Sequence, residues 1–166
     1  SFTLTQGNLV LGRTPAAGAN YFELVNTGTV NLNGGVLSAS GSLVSPNQVT
    51  NPIKFGGTVA IGGTNSIEFG AATSVTMAAS QLLINNNSGG LTLSGATAAI
   101  TNSAASTLTI AGTGNVSIAG IVAQGTGAQG LTNSGSGTVT LTAVNTSQGA
   151  LTANSGVVVL TGAGTW

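Results

Sequence analysis

Glu23 and Glu68 are the only carboxylate side chains in this sequence of 166 residues. A glycosidase needs two carboxyl groups about 5–9 Å apart, one as general acid and one as base or nucleophile. The sequence gives no indication that these two residues meet, and it has no Asp to assist them. We therefore predict that both are solvated or locally paired charges and that the protein is not an enzyme.

The other residue types that support chemistry are equally scarce. Arg13 and Lys54 are the only cationic side chains, His and Cys are absent, and the formal net charge is zero. Two cations cannot supply the basic surface of a nucleic-acid binder, and zinc, redox and Asp-based calcium sites lack their ligands. We predict no nucleic-acid partner, no metal and no cofactor. No apolar run approaches the ~20 residues of a membrane helix, so no membrane insertion is expected.

Threonine pairs are a further candidate for a functional surface. Regular threonine ladders on a flat β face resemble ice-binding surfaces, but the copies here are not evenly repeated. The high strand propensity of Thr explains them better. The Thr-x-Thr runs are Thr3/Thr5, Thr107/Thr109 and Thr138/Thr140/Thr142.

Short β-strands must position all of these residues. Apolar residues alternate with polar ones for a few positions, and Gly, Asn and Ser separate the runs, which is typical of strands joined by tight corners. No sustained i, i+3, i+4 apolar stripe predicts a helix. The predicted strands are Leu9–Leu11, Tyr21–Val25, Val30–Leu32, Ile53–Phe55, Val59–Ile61, Ile67–Phe69, Val75–Met77, Leu82–Ile84, Leu91–Leu93, Leu108–Ile110, Val116–Ile118, Val139–Leu141 and Val157–Leu160.

One pattern recurs in four segments, which begin at Ile84, Ile100, Leu131 and Leu151. Each has an apolar residue, then Thr or Asn, a corner of small residues, and an apolar strand. Because one such unit cannot bury its apolar face alone, stacked units are expected to share a continuous core. The sequence therefore predicts an all-β fold, a parallel β-solenoid of short irregular coils. A β-sandwich is the alternative, although its exposed faces would normally carry charge.

Asparagine follows the start of each copy, at Asn85, Asn102, Asn133 and Asn154. Two explanations stay open. Equivalent asparagines can stack as hydrogen-bonded ladders, as in cross-β structures, or Asn can simply tolerate left-handed corners.

The chain up to Phe69 differs in composition from the rest. It holds all four charged residues, all three prolines and five of the six aromatic residues. We interpret residues 1–52 as a capping or assembly region that is continuous with solenoid repeats in residues 53–166, the two forming one domain.

Residues 135–164 resemble the autotransporter-associated β-strand repeat, also called the passenger-associated transport repeat. Gly137 to Leu141 match the first strand of that pattern, Asn145 and Thr146 match its corner, and Gly156 to Leu160 match its closing strand. The resemblance implies a parallel, right-handed β-helix within a bacterial surface or secreted protein. That family brings no catalytic residues to this chain.

Association between copies is the function that these observations favour. An uncapped solenoid end exposes unpaired N–H and C=O groups, and a head-to-tail contact that does not close makes a filament. We expect a structural subunit of an extracellular bacterial fibre or surface layer, with copies of itself as partner and a leader removed before Ser1. An adhesin or autotransporter passenger segment that binds a surface partner is the alternative. The residues predicted to form the assembly contact are Phe2, Leu4, Leu9, Leu11, Val158, Leu160 and Trp166.

Overall fold

The structure, a computed structural model, describes residues 1–12, 28–70, 74–95, 99–162 and 165–166. In these residues the regular elements are β-strands, and they pair in parallel as a β-solenoid. This confirms the predicted all-β solenoid and excludes the β-sandwich, whose strands would pair antiparallel. The same residues contain no helix long and apolar enough to cross a membrane.

Seventeen strands are described, each only a few residues long. In chain order they are β1 (Phe2–Leu4), β2 (Asn8–Leu11), β3 (Val30–Leu32), β4 (Val36–Ala39), β5 (Ile53–Phe55), β6 (Val59–Ile61), β7 (Ile67–Phe69), β8 (Val75–Met77), β9 (Gln81–Asn85), β10 (Leu91–Leu93), β11 (Ile100–Asn102), β12 (Ser106–Ala111), β13 (Val116–Ile118), β14 (Gln129–Asn133), β15 (Thr138–Leu141), β16 (Leu151–Ala153) and β17 (Val157–Leu160).

These strands form the three sides of the coil. Sheet A is β1-β3-β5-β8-β11, sheet B is β2-β4-β6-β9-β12-β14-β16, and sheet C is β7-β10-β13-β15-β17. The chain visits the three sheets in turn, so each strand pairs with the strands of the coils before and after it. Strands β1 to β4, from the region assigned to capping or assembly, belong to the same sheets as the later strands.

The predicted strands coincide with structural ones wherever the residues are described; Tyr21–Val25 lies outside the described residues. Five strands were not predicted: β1, β4, β11, β14 and β16. In the last four of these, a second inward position of the strand is Ala or Asn, as at Ala39, Asn102 and Asn133. A second large apolar residue at an inward position is what makes a short strand visible in sequence, and these strands lack it.

The register of the sheets stacks similar side chains in columns along the lumen. On sheet C, one inward column contains Phe69, Leu93, Ile118 and Leu141, each fully buried. Burial of each such side chain contributes about 1.5–3 kcal/mol relative to exposure. The lumen is therefore a continuous apolar core that runs the length of the solenoid.

Two of the four aligned repeats are out of register with the others. Ile84 faces outward as the partner of Ala111, whereas Leu131 faces inward as the partner of Leu108. Leu131 and Leu151 are direct partners in sheet B, as their alignment predicts. Ile100, however, pairs with Val75 in sheet A, so its copy starts one side of the coil earlier. Corners on all three sides use the same small and amide residues, and local sequence therefore does not distinguish one side from another.

Candidate assembly surfaces

At the N-terminal end, strands β1 and β2 are the first strands of sheets A and B. Leu4 and Leu11 are buried in the lumen, whereas Phe2 and Leu9 are half-buried and pack against the core. Side chains of Leu4 and Leu11 thus belong to the core of this chain. Any part these two residues take in a contact between copies would involve their backbone.

At the C-terminal end, β16 and β17 are the last strands of sheets B and C. Leu160 is the partner of Leu141 and continues its inward column. It is nevertheless 46% exposed, whereas Leu141 is 0% exposed. Val158 is half-buried against the core, and Val157 is 52% exposed. Val158 and Leu160 of the end coil therefore occupy inward positions whose counterparts in the coil below, Val139 and Leu141, are fully buried.

The outer edge of β17 also presents backbone hydrogen-bonding groups. The N–H of Thr161 donates to the carbonyl of Leu141 at 3.0 Å, on the side of β15. Backbone groups alternate between the two edges of a strand, so those of Val158 and Leu160 point away from β15. Among the described residues no strand lies on that outer edge. It is an open template for another parallel strand.

Trp166 packs beside this end. Thr165 forms a parallel bridge with Val144, which places Trp166 opposite Asn145 on the side of the coil that sheet A forms. The indole Nε1 donates to the carbonyl of Gly149 at 2.7 Å, and the ring packs against the core.

Buried asparagines connect successive coils, but not as a hydrogen-bonded ladder of stacked amides, which was one of the two sequence explanations. Asn133 is 1% exposed; its Nδ2 donates to the carbonyls of Gly137 and Val157, and its Oδ1 accepts the N–H of Gly135. Asn85 likewise donates to the carbonyl of Asn115 in the next coil. These side chains bond to backbone at the corners and do not stack on one another.

The other two predicted asparagines differ from each other. Asn102 is buried, donates to Ser106 Oγ and accepts the N–H of Gly125, again joining two coils. Asn154 is exposed and donates to Ser134 Oγ at 3.3 Å. Asn145, which the resemblance placed at a corner, is buried and accepts the N–H of Val122. Sequence reasoning did not single out Asn145 as a bridge between coils.

Glu68 also joins coils, on the outer face of sheet C. Its Oε2 accepts the N–H of Ser45 at 2.9 Å, and its Oε1 accepts the hydroxyl of Ser94 at 2.7 Å. Lys54 lies on the exposed face of sheet A, on a different side of the coil. Glu23 and Arg13 lie outside the described residues, so a meeting of the two glutamates is not addressed. No group of three or more metal-ligating side chains occurs in the residues described.

The threonine pairs do not form a regular grid. Thr109 stacks with Thr132 and Thr152 on the outer face of sheet B. Thr107, its pair on the same strand, has Gly130 as its partner. Thr3 is paired with Asn31, and Thr140 is paired with Ser117 and Val159. The two-dimensional order of an ice-binding face is therefore missing from these positions.

A second outer column on sheet B is apolar, and sequence reasoning missed it. It contains Val36, Ala60, Ile84 and Ala111, paired in register. Irregular coil lengths separate these residues along the chain, so only the register brings them together. Together with the threonine column they define the sheet B face, which consists of Val36, Ala60, Ile84, Ala111, Leu82, Thr109, Thr132 and Thr152.

Comparison with known proteins gives this chain no relative from which a function could be transferred. No protein-family model matches it, and no curated protein and no solved structure is significantly similar to it.

Proposed function

We propose that this protein is a structural subunit of an extracellular bacterial fibre or surface layer, whose copies associate end to end. The observation that supports this best is the exposure of the inward residue Leu160 on the end coil, beside the unpaired edge of β17. Placing a second copy on this end would bury Leu160 and Val158 and satisfy the backbone groups of the edge. Both effects favour association.

The pairing expected in such a contact follows from the sheets. Strand β16 ends sheet B on one side, and β2 begins it on the other. A second copy in head-to-tail orientation would add its β2 to β16, which continues sheet B in parallel. Because this contact uses different surfaces on the two copies, it does not close and would generate a filament.

Charge does not oppose this association. The chain has a formal net charge of zero and only four charged side chains. Natural β edges are commonly protected by Lys or Pro, yet β17 reads Val-Val-Val-Leu. Location outside the cell rests on the resemblance to autotransporter repeats and remains part of the proposal.

Electron microscopy of the purified protein tests the proposal. We expect unbranched filaments whose length increases with protein concentration. Leu160→Lys should abolish them, since it places a charge on the end coil where an apolar neighbour would sit. Thr142→Lys is the matched control, because Thr142 is exposed just beyond β15 of the coil below. Its filaments should match those of the wild type.

Two outcomes would overturn the proposal. One is a wild-type protein that stays monomeric at the highest attainable concentration. The other is equal filament formation by wild type and Leu160→Lys, with both proteins shown by circular dichroism to be folded.

A further inference from the structure

The sheet B face differs chemically from the outer faces of the other two sheets. In the described residues, the outer face of sheet A carries Lys54 and that of sheet C carries Glu68. Neither column of the sheet B face contains a charged residue. Val36 on this face is 38% exposed, and Ile84 and Leu82 are half-buried.

The face is also regular along the solenoid axis. Its apolar column covers β4, β6, β9 and β12, and its second column covers β9, β12, β14 and β16. Parallel strands lie about 4.8 Å apart, and alternate residues on a strand lie about 6.6 Å apart. Side chains in both columns therefore form a narrow, straight strip that runs along the direction in which the proposed filament grows.

A second copy of this chain is the occupant that fits the strip best. The strip has no charge to repel an identical strip, and two β faces pack directly at about 10 Å. With those spacings it offers roughly 300 Å² per copy, far below the 800 Å² per partner of a stable protein–protein interface. A single pair of subunits is therefore too small a contact to persist. A filament repeats the strip in every subunit, so that about three subunits in a row reach the required area.

We propose that the sheet B face is the lateral contact by which two filaments of this protein pair side by side. This inference rests on the proposed end-to-end assembly. It predicts an order of events: subunits first join end to end, and filaments pair only after they contain several subunits. Dispersed monomers are not expected to dimerise through this face.

Filament width in electron micrographs is the test. Wild-type protein should give filaments of double width at high concentration, with single filaments among the shortest. Ile84→Lys places a charge in the middle of the strip and should halve the width while leaving filament length unchanged. Thr101→Lys is the control, because Thr101 is a half-buried outward residue on sheet A, as Ile84 is on sheet B, and its partner is Thr76. Its filaments should keep double width.

Thr132→Lys is a second variant on the same face, for use if Ile84→Lys fails to fold. Double-width filaments in the folded strip variants would overturn the lateral contact, and so would loss of pairing in Thr101→Lys to the same degree. Wild-type filaments that are always single would overturn it too, while leaving end-to-end assembly intact. Absence of any filament would instead overturn the proposed function, and the lateral contact with it.

The same variants separate a second copy from other occupants of a flat, uncharged face. Ice and crystalline cellulose are the two surfaces to test, by thermal hysteresis and by co-sedimentation. If Ile84→Lys abolished either activity but left filament pairing unchanged, the occupant would not be a second copy and the proposal would be wrong.

Discussion

The indole Nε1 of Trp166 donates a hydrogen bond to the carbonyl oxygen of Gly149 at 2.7 Å. Gly149 lies two residues before β16, and Trp166 follows Thr165, which is bridged to Val144. This bond fixes the indole against the end of the apolar lumen, where the ring is partly buried. A second copy placed on this end coil would therefore come close to Trp166.

Fluorescence of Trp166 is expected to report end-to-end association. It is the only tryptophan in the chain, and its ring is half-exposed beside the open edge. When a second copy covers that end, water leaves the ring and the emission maximum should move to shorter wavelength. We expect the shift to appear at the same protein concentration as filaments do.

Two variants control this measurement. Ile84→Lys changes the lateral face only, so its emission shift should equal that of the wild type. Leu160→Lys should show no shift at any concentration. An emission maximum that stays constant while wild-type filaments form would mean that the contact lies elsewhere on the molecule.

Replacement of Asn133 by Ala is expected to destabilise the fold much more than the same replacement of Asn154. Both were predicted to be equivalent corner residues, yet only Asn133 is buried and bonds to backbone groups of two coils. Loss of its amide leaves the buried carbonyl oxygen of Gly137 without this donor, at a cost of about 1–3 kcal/mol. Exposed Asn154 should change the free energy of unfolding by less than about 0.5 kcal/mol.

Urea denaturation followed by circular dichroism measures both asparagine variants. Their midpoints are compared at equal slopes, so that a change in midpoint reports stability. Equal midpoints for Asn133→Ala and the wild type would show that the side chain does not hold the coils together.

Gly137→Ala should destabilise the protein, whereas Gly41→Ala should not. A Cβ on Gly137 would collide with the carbonyl oxygen of Gly114, which is backbone of the coil below and cannot rotate away. Such overpacking costs about 1–3 kcal/mol. At Gly41 nothing lies within 4 Å of the added Cβ, so stability should stay equal or rise by up to about 1 kcal/mol as the unfolded chain loses freedom. Thermal unfolding of the two variants tests this, and a lower melting temperature for Gly41→Ala would contradict it.

The sequence predicts the fold because its evidence is local. Alternation in stretches such as Val116–Ile118, together with Gly and Asn at the corners, identifies short strands one at a time. The side of the coil on which a segment lies cannot be read from its local sequence. Ile100 and Leu131 start similar segments but lie in different sheets, A and B. The segments look alike because residues of the same types form the corners of every side. Only the register of the assembled sheets resolves them.

Some residues of the candidate surfaces could be placed from the sequence, and others could not. Val158, Leu160 and Trp166 could be placed at one end of the solenoid because their order in the chain becomes their order along the axis. The apolar column of the sheet B face could not be predicted, since the partners of Ile84 depend on the lengths of two irregular coils. Local sequence also does not show that Asn133 is buried and Asn154 exposed. Asn154 lies in the end coil, and no described strand covers the outer side of that coil.

Glu68 is expected to stabilise the solenoid through hydrogen bonds to uncharged groups. Its replacement should therefore lower the free energy of unfolding at every ionic strength. Its carboxylate accepts from the N–H of Ser45 and the hydroxyl of Ser94, which belong to the coils on either side. Hydrogen bonds of a carboxylate to neutral donors at a partly exposed site contribute on the order of 1–2 kcal/mol together. Glu68→Ala should therefore lower the free energy of unfolding by about that amount, and Glu68→Gln, which keeps one acceptor oxygen, by less.

Salt screens attraction between exposed charges, so a loss that disappears at high salt would indicate a long-range charge effect. Lys54→Ala, which removes an exposed charge on another face, should change stability by less than about 0.5 kcal/mol, and an equal loss in this variant would contradict the role assigned to Glu68.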